Sequence, residues 1–295
     1  HGGILKQPPQ AKDKLVLFQN PLLTDCTPMQ YLKNVGKTGA KGAIVYDQLS
    51  TEPLHVSNSR AWTDQSIPDL ESGSVVNAVK NLLSHPTIAS KRWVWQQYDH
   101  MVMGDTIGLP GSESGIVRIH GSDNQALAMT TDCTPRYCEA NARIGGMQAV
   151  AESFRNLCSV GALPLAITDC LNFGNPENPE VMWQLSESID GMAEACESFG
   201  IPVVGGNVSL YNESSGVNIS PTPVVGLVGK IDDLYRKPPG FELLEGNRLV
   251  LLGPDEIGLG GSLWGALHGS DSGELIDVDF EVHKILADLV RGLVS

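Results

Sequence analysis

The sequence has no long hydrophobic run, no excess of positive charge and no cluster of cysteines. No apolar segment approaches the roughly 18 residues that suggest a membrane-spanning helix, and no signal-peptide pattern opens the chain. The net charge of -14 argues against a nucleic-acid-binding protein, because such proteins usually present a basic face. We therefore expect a cytoplasmic protein with neither a membrane nor a nucleic acid as its partner.

The few cysteines are scattered among apolar residues: Cys26, Cys133, Cys138, Cys158, Cys170 and Cys196. Scattered cysteines in a chain of this length are typical of reduced thiols in the core, not of a disulfide framework. The step from Cys133 to Cys138 has no second pair and no histidines at zinc-ligand spacing. The sequence thus predicts no structural metal held by cysteines.

What the sequence does have is a composition typical of a globular α/β protein. With 295 residues, 41% of them hydrophobic, and 32 glycines, the chain is long enough for about two domains. Residues 1 to about 70 show no sustained period and are predicted to be irregular. A helix is predicted in "SGSVVNAVKNLLSHP", followed by strands in "GIVRI" and "ALAMTTD".

Two long helical patterns follow these strands. In "GGMQAVAESFRNLCSVG" the apolar residues recur at the spacing of one buried helix face: Met147, Val150, Ala151, Phe154, Leu157 and Cys158. The second pattern, "NPEVMWQLSESIDGMAEACESFGIP", begins near Pro179 and ends at Gly200. Each helix precedes a short apolar run, "LPLAIT" or "PVVGG". This alternation predicts an α/β layer structure with ligands beyond the strand ends.

The segment "VVGGNVSLYN", residues 203–212, offers polar side chains directly after a glycine pair. We predict a buried strand that ends at the glycines, with Asn207, Ser209 and Tyr211 facing one ligand because alternate residues of an extended segment point the same way. The alternative is an ordinary glycine turn between core strands. The preceding apolar run ends at Asp169, so that a carboxylate and an amide, both suitable for Mg²⁺, follow two consecutive strands.

A second group of oxygen-bearing side chains falls on the first long helix. Glu152 and Asn156 are four residues apart and share one helix face. Either this face is solvated, or the pair binds a metal while "ARIGG" offers free backbone amides to a phosphate. Asp99 and Asp132 are further acids at segment boundaries.

Long motifs in the chain resemble the second half of phosphoribosylformylglycinamidine synthase. They are "ASKRWVWQQYDHMV", "TTDCTPRYCEANARIGGMQAVAESFRNLCSVGALPLAITDCLNFGNPENPEVMWQL" and "VVGGNVSLYNES". The resemblance covers about residues 73–295 and points to the synthetase subunit of the multi-subunit type. It implies the α/β fold of aminoimidazole ribonucleotide synthetase, a mixed sheet with packed helices.

The resemblance also implies a domain organisation. We expect an irregular connecting region at 1–86, an N-terminal-type α/β domain at 87–230 and the start of the C-terminal-type α/β domain at 240–295. In this family two copies of the N-terminal-type domain pair through their sheets within one chain. A single copy is therefore expected to expose the sheet edge that pairs with the other copy, and to self-associate as a two-fold dimer.

Site residues follow from the matching motif positions. The resemblance implies that Asp169 and Gly206 contact ATP, that Asn207 binds Mg²⁺ and that Ser209 contacts the substrate. It also implies a second, non-catalytic nucleotide site whose Mg²⁺ ligands are Asp99, Glu152 and Asn156. No catalytic residue is expected in this chain, because the catalytic histidine of the family belongs to the first half.

The implied reaction is the ATP- and Mg²⁺-dependent amidation of formylglycinamide ribonucleotide in purine biosynthesis. The expected partners are the first half of the enzyme, a glutaminase subunit that supplies ammonia and a small bridging subunit, and this chain alone is expected to be inactive. Two alternatives remain. The chain is a structural copy that holds a nucleotide, or it is a kinase of the thiamine monophosphate kinase or selenophosphate synthetase type, against which "TDCLNFGNPENPE" argues.

Overall fold

The computed structural model describes residues 15–19, 42–46, 53–57, 75–235, 250, 252–253, 259–269 and 275–294. Every helix within these residues is too short or too polar to cross a bilayer. The cysteines of this part of the chain are free thiols: Cys133, Cys138, Cys158, Cys170 and Cys196. Three of them are buried, as predicted for core thiols, and Cys26 lies outside the described residues.

A six-stranded mixed sheet forms the centre of the described structure. Its strands are β4 (Thr106–Gly108), β5 (Gly115–Arg118), β6 (Ala126–Asp132), β7 (Leu163–Asn172), β8 (Val203–Ser209) and β11 (Thr222–Ile231). The spatial order is β4-β5-β6-β11-β7-β8. Within this six-stranded sheet only β7 and β8 pair in parallel, and the helix between them makes the crossover that a parallel pair needs.

Short strands also occur outside this sheet. In the region predicted to be irregular, β1 (Leu15–Gln19), β2 (Gly42–Tyr46) and β3 (Pro53–Ser57) form a three-stranded sheet. The runs "LVLFQ" and "GAIVY" are apolar, but five residues are too few to establish a period. A two-stranded pair, β9 (Glu213–Ser214) and β10 (Val217–Asn218), follows β8.

The helices confirm the periodic patterns. They are α1 (Val75–Ser84), α2 (Arg92–Trp95), α3 (Pro135–Ala140), α4 (Ala142–Ser159), α5 (Pro179–Phe199), α6 (Leu263–Leu267) and α7 (Phe280–Val294). All six apolar residues predicted for the inner face of α4 are buried. Burial of a large side chain such as Leu157 stabilises the fold by about 1.5–3 kcal/mol. Helix α4 packs on β6, β7 and β11, and α5 packs on α4.

The two long helices approach each other unusually closely. A Cβ atom on Gly191 of α5 would lie 2.1 Å from the carbonyl oxygen of Arg143 in α4. Only glycine therefore allows the two backbones this separation. Helix α5 begins after Asn178, whose side chain accepts a hydrogen bond from the Glu180 amide, and ends at Gly200 with a φ of 69°.

Helix α7 lies against α4 and α5 through an aromatic cluster. The ring of Phe199 stacks on Phe154 at 4.2 Å and meets Phe280 edge-on at 5.4 Å. The Arg155 guanidinium lies 2.8 Å from Nε2 of His283. Residues predicted to begin a second domain thus pack against the first one.

In the part of the chain that the structure describes, helices cover the sheet face that carries α4, and the opposite face, here called the open face, is partly exposed. Leu127 and Met129 of β6 point to this face and are 37% and 41% exposed, whereas their neighbours Ala126 and Ala128 are fully buried under the helices. The strict alternation in β6 is typical of a sheet that is covered on one side.

Candidate functional site

Strands β7 and β8 carry the residues predicted to bind nucleotide, metal and substrate. They pair in parallel, so that Asp169 lies opposite Gly206 and Asn172 opposite Ser209, while Asn207 lies opposite Cys170. Strand β8 is the last strand of the sheet. A ligand can therefore approach its backbone from solvent.

The glycine pair lies inside β8, which corrects the prediction that the strand is buried and ends there. The strand continues through Asn207 to Ser209, and Val203 and Val204 are 50% and 70% exposed. Glycines and small polar residues have the same local pattern in a turn and in an exposed edge strand. The distinction comes from pairing with β7, which the local sequence does not encode.

The carboxylate of Asp169 covers the backbone of Gly206. A Cβ atom on Gly206 would lie 2.1 Å from Asp169 Oδ1 and 3.0 Å from the Asp169 carbonyl oxygen. A side chain at position 206 would thus displace the carboxylate. Burial raises the pKa of Asp169. Burial, followed by the nearby charge of Asp169, also raises the pKa of Cys196 in α5 to about 11.

The predicted ligands lie on two faces of the sheet. Asp169 shares the helix-covered face with the buried residues Ile167 and Leu171, because alternate residues of a strand point the same way. Asn207 and Ser209 lie on the opposite, open face. The structure thus brings Asp169 together with Gly206, and Asn207 together with Ser209, on opposite faces of an edge strand.

Tyr211 does not share the face of Asn207, and that prediction is wrong. Strand β8 ends at Ser209, and Tyr211 has a φ of 59°, in the left-handed region that non-glycine residues rarely adopt. Its hydroxyl lies 3.4 Å from the Glu177 carboxylate instead. The backbone reversal at Tyr211 breaks the alternation of an extended strand.

A hydrogen-bonded cluster connects the end of β6 to α4. Asp132 accepts hydrogen bonds from Ser153 Oγ at 2.7 Å and from Asn156 Nδ2 at 2.8 Å. Burial raises the pKa of Glu152, as do the carboxylates of Asp132 and Glu113. Glu152 and Asn156 are therefore part of an acidic, half-buried cluster and not of a fully solvated face.

The other two predicted parts of this second site are Asp99 and the first turn of α4. Asp99 is exposed, and its carboxylate accepts a hydrogen bond from the Met101 amide at 2.9 Å. In the first turn of α4, where free amides are predicted to face a phosphate, the Ile144 amide donates to the Asn141 side chain and the Gly145 amide donates to the Asn141 carbonyl oxygen. Within the described ranges, no three acidic, histidine or cysteine side chains are arranged to hold a metal.

Replacing Glu152 by Gln is expected to stabilise the protein near pH 7. The folded-state pKa of Glu152 is raised, so the folded state binds more protons than the unfolded state just above the ordinary pKa, and stability falls as the pH rises through this window. Above the raised pKa the ionised Glu152 carboxylate destabilises the folded state to its full extent. The Glu152→Gln variant should therefore melt about 1–3 °C higher than wild type at pH 7. Below about pH 4 the difference should vanish.

Calorimetry between pH 4 and 8 measures this effect, and Glu197→Gln, a change on the exposed surface of α5, is the control. Equal melting temperatures for wild type and Glu152→Gln at pH 7 would show that ionised Glu152 does not destabilise the folded state. The same titration with added Mg²⁺ examines the metal role: if Glu152 is a ligand, Mg²⁺ raises the melting temperature of wild type more than that of the variant.

Sequence reasoning did not single out Asn212, and it identified Asp132 only as an acid at a boundary. Asn212 Nδ2 lies 2.9 Å from the carbonyl oxygen of Ser209 and 3.0 Å from that of Phe173. Oδ1 of Asn212 lies 3.3 Å from Ser209 Oγ. The only sequence signal was the short distance along the chain between Ser209 and Asn212.

Comparison with known proteins relates this arrangement to one family. The family "AIR synthase related protein, N-terminal domain" matches residues 111–231. Phosphoribosylformylglycinamidine synthase subunit PurL of Caulobacter vibrioides is 48% identical over 80% of this chain and 33% of the relative. The same subunit of Granulibacter bethesdensis is 48% identical over 75% of this chain and 30% of the relative. The chain spans about a third of the length of these curated relatives.

Solved structures of PurL from T. maritima are also similar. One, complexed with ATP, is 27% identical with a TM-score of 0.46 and covers 70% of this chain and 36% of that chain. Another, complexed with FGAR, is 28% identical with a TM-score of 0.43, covering 70% of this chain and 35% of that chain.

Proposed function

We propose that this chain contributes nucleotide, metal and substrate contacts to the amidation of formylglycinamide ribonucleotide. Residues 111–231 match the N-terminal domain of AIR synthase related proteins, and the chain is related to phosphoribosylformylglycinamidine synthase subunit PurL. The proposed reaction consumes ATP in the cytoplasm as a step of purine biosynthesis. The observation that carries the proposal is the contact of Asp169 with Gly206 on an exposed edge strand.

We propose that Asp169 and Gly206 form the ATP contact. Strand β8 is the last strand of the sheet, so a nucleotide can approach the Gly206 backbone from the free edge, beside the Asp169 carboxylate. The Asp169 carboxylate is held beside this backbone and is already partly desolvated, which raises its pKa. A carboxylate with a raised pKa accepts hydrogen bonds from a sugar or base at a low desolvation cost.

Asn207 fits the role of a magnesium ligand. Its amide oxygen is neutral and lies on an exposed strand, and Mg²⁺ prefers oxygen ligands and keeps several waters. Bound Mg²⁺ would neutralise phosphate charge during transfer. One protein oxygen is enough when phosphate oxygens and water complete the shell.

Ser209 fits the role of a substrate contact. It is half-buried at the end of β8, two residues from Asn207 and on the same face. A hydroxyl in this position can exchange a hydrogen bond with a ribose or amide group of the ribonucleotide. The reaction itself is a phosphorylation of the substrate amide oxygen by ATP, after which ammonia displaces phosphate and the amidine forms.

The remaining components of the reaction are proposed to come from partners. They are the first half of the enzyme with its catalytic histidine, a glutaminase subunit that releases ammonia from glutamine and a small bridging subunit. This chain by itself is proposed to be inactive, because the catalytic histidine is proposed to belong to the first half of the enzyme.

Asn207→Leu is the test of this assignment in the complete enzyme. Removal of one metal ligand should raise the Mg²⁺ concentration needed for half-maximal amidation about 10-fold while saturating Mg²⁺ restores most activity, since other ligands remain. Steady-state amidation with ammonium chloride as nitrogen donor, measured over a range of Mg²⁺ concentrations, gives this value.

Asn207→Asp is the matched control. It keeps an oxygen at the same position and adds a charge, so the Mg²⁺ requirement should stay at or below that of wild type. An unchanged Mg²⁺ dependence of the Asn207→Leu enzyme would show that Asn207 is not a metal ligand.

The cluster around Glu152 favours a second candidate function, a structural copy that holds a nucleotide without turnover. Burial raises the pKa of Glu152, and the carboxylates of Asp132 and Glu113 raise it further; a bound cation would relieve this repulsion between carboxylates. Mass spectrometry of nucleotide released from the denatured, purified enzyme distinguishes the two functions. A nucleotide that is retained through repeated turnover supports the structural copy.

A further inference from the structure

The turn after β8 brings the side chain of Asn212 back under the end of the strand. Asn212 Nδ2 lies 3.1 Å from Ser209 Oγ, and Oδ1 lies 3.3 Å from the same oxygen. Nδ2 also reaches two carbonyl oxygens, that of Ser209 at 2.9 Å and that of Phe173 at 3.0 Å. One carboxamide thus contacts the last residue of β8 and the residue that follows β7.

These partners determine how the carboxamide is oriented. Carbonyl oxygens only accept hydrogen bonds, so the group that faces Phe173 and Ser209 must be the amide nitrogen with its two hydrogens. The shorter contacts of Nδ2 are with these two carbonyls, which use both hydrogens. Oδ1 then accepts the hydrogen bond from the Ser209 hydroxyl.

The backbone around this contact is rigidly held. The Phe173 amide donates to the Ser209 carbonyl at 3.0 Å, and the Asn212 amide donates to the Phe173 carbonyl at 3.2 Å. Tyr211 adopts its positive φ between these bonds while its amide donates to Gly174 at 2.9 Å. A left-handed non-glycine residue costs about 1–3 kcal/mol and persists only where its surroundings hold it.

We propose that Asn212 is a positioning residue that directs the proton of the Ser209 hydroxyl away from the open face. With its proton donated to Asn212, Ser209 presents its lone pairs and accepts a hydrogen bond from an N–H or O–H group of the substrate. The inference rests on the proposed contact between Ser209 and formylglycinamide ribonucleotide. It adds the direction of that hydrogen bond, in which Ser209 is the acceptor, and it names Asn212 as the residue that determines this direction.

A double-mutant cycle in the complete enzyme tests this inference. Ser209→Ala, Asn212→Ala and the double variant are compared by their KM values for formylglycinamide ribonucleotide and for ATP, with ammonium chloride as nitrogen donor. Asn212→Ala is expected to raise the ribonucleotide KM about 5- to 10-fold and the ATP KM less than about 2-fold. The double variant should be no worse than the poorer single variant, because both changes remove the same interaction.

Asn218→Ala is the matched control. Its Oδ1 accepts a hydrogen bond from the Asn175 amide at 2.8 Å at the same end of the sheet, and it is not among the partners of Ser209. This change should lower the melting temperature without a selective rise in the ribonucleotide KM. Asn212→Leu, which keeps a side chain of similar volume but places no oxygen beside Ser209, should raise that KM as Asn212→Ala does, and it serves as the second variant if Asn212→Ala does not fold.

Three results would overturn the inference. One is additive effects of Ser209→Ala and Asn212→Ala, and another is an equal rise of both KM values in Asn212→Ala. In either case Ser209 keeps its proposed role if Ser209→Ala alone raises the ribonucleotide KM. The third is an unchanged ribonucleotide KM in an active Ser209→Ala enzyme. This result would show that Ser209 does not contact the substrate, and the proposed role of Asn212 would then also be wrong.

Discussion

Gly206→Ala is expected to raise the KM for ATP about 10- to 100-fold in the complete enzyme, with little loss of folded protein. The added Cβ would lie 2.1 Å from Asp169 Oδ1, so the carboxylate must leave its position. A hydrogen bond to a charged group contributes about 1.5–3 kcal/mol, which corresponds to this range of affinity. Steady-state kinetics at varied ATP, with thermal melting to verify folding, measure the effect.

Gly205→Ala provides an internal control for the same chemical change one residue earlier. Its Cβ would lie 3.9 Å from Thr168 Oγ1, an ordinary van der Waals contact, and would point to the opposite face. The ATP KM of this variant should stay within about 2-fold of wild type. If both alanine variants behave alike, the close contact of Asp169 with Gly206 does not govern ATP binding.

The same positions show which parts of the fold were predictable. Helices α4 and α5 were predicted because their buried faces repeat over four or five turns, and the buried Leu157 and Leu185 confirm those faces. Strand β8 was predicted as buried and ending at the glycines because a local window contains no information about its neighbour. Its exposure follows from being the last strand of the sheet.

The candidate site was predictable as a set of residues but not as a geometry. The resemblance supplied Asp169 and Gly206, but their contact depends on the register between β7 and β8. Similarly, Glu152 was expected to act with Asp99, whereas the fold of α4 onto β6 brings it to Asp132. Asn212 required the positive φ at Tyr211, a conformation for which the residue type is unfavourable and which only the surrounding hydrogen bonds select.

The open face of the sheet is expected to make this chain self-associate at tens of micromolar. In a protein with a net charge of -14, this face presents Leu127 and Met129 beside half-buried Val224 and Val228. Its one charged side chain from β11, Lys230, is paired with Asp232 at 2.7 Å. On such an apolar face two acidic chains can meet with little charge repulsion.

A two-fold dimer through this face buries both copies of Met129, because a two-fold axis places the same surface on each partner. Met129→Asp should therefore weaken the dimer at least about 100-fold, since two carboxylates would lose water without gaining a cation. Ile285→Asp on α7 is the control, because Ile285 is 66% exposed and lies on a helix that packs on α4 and α5. Sedimentation equilibrium of wild type and both variants distinguishes the outcomes. A monomeric wild type, or a dimer that Met129→Asp leaves intact, would show that the open face does not pair.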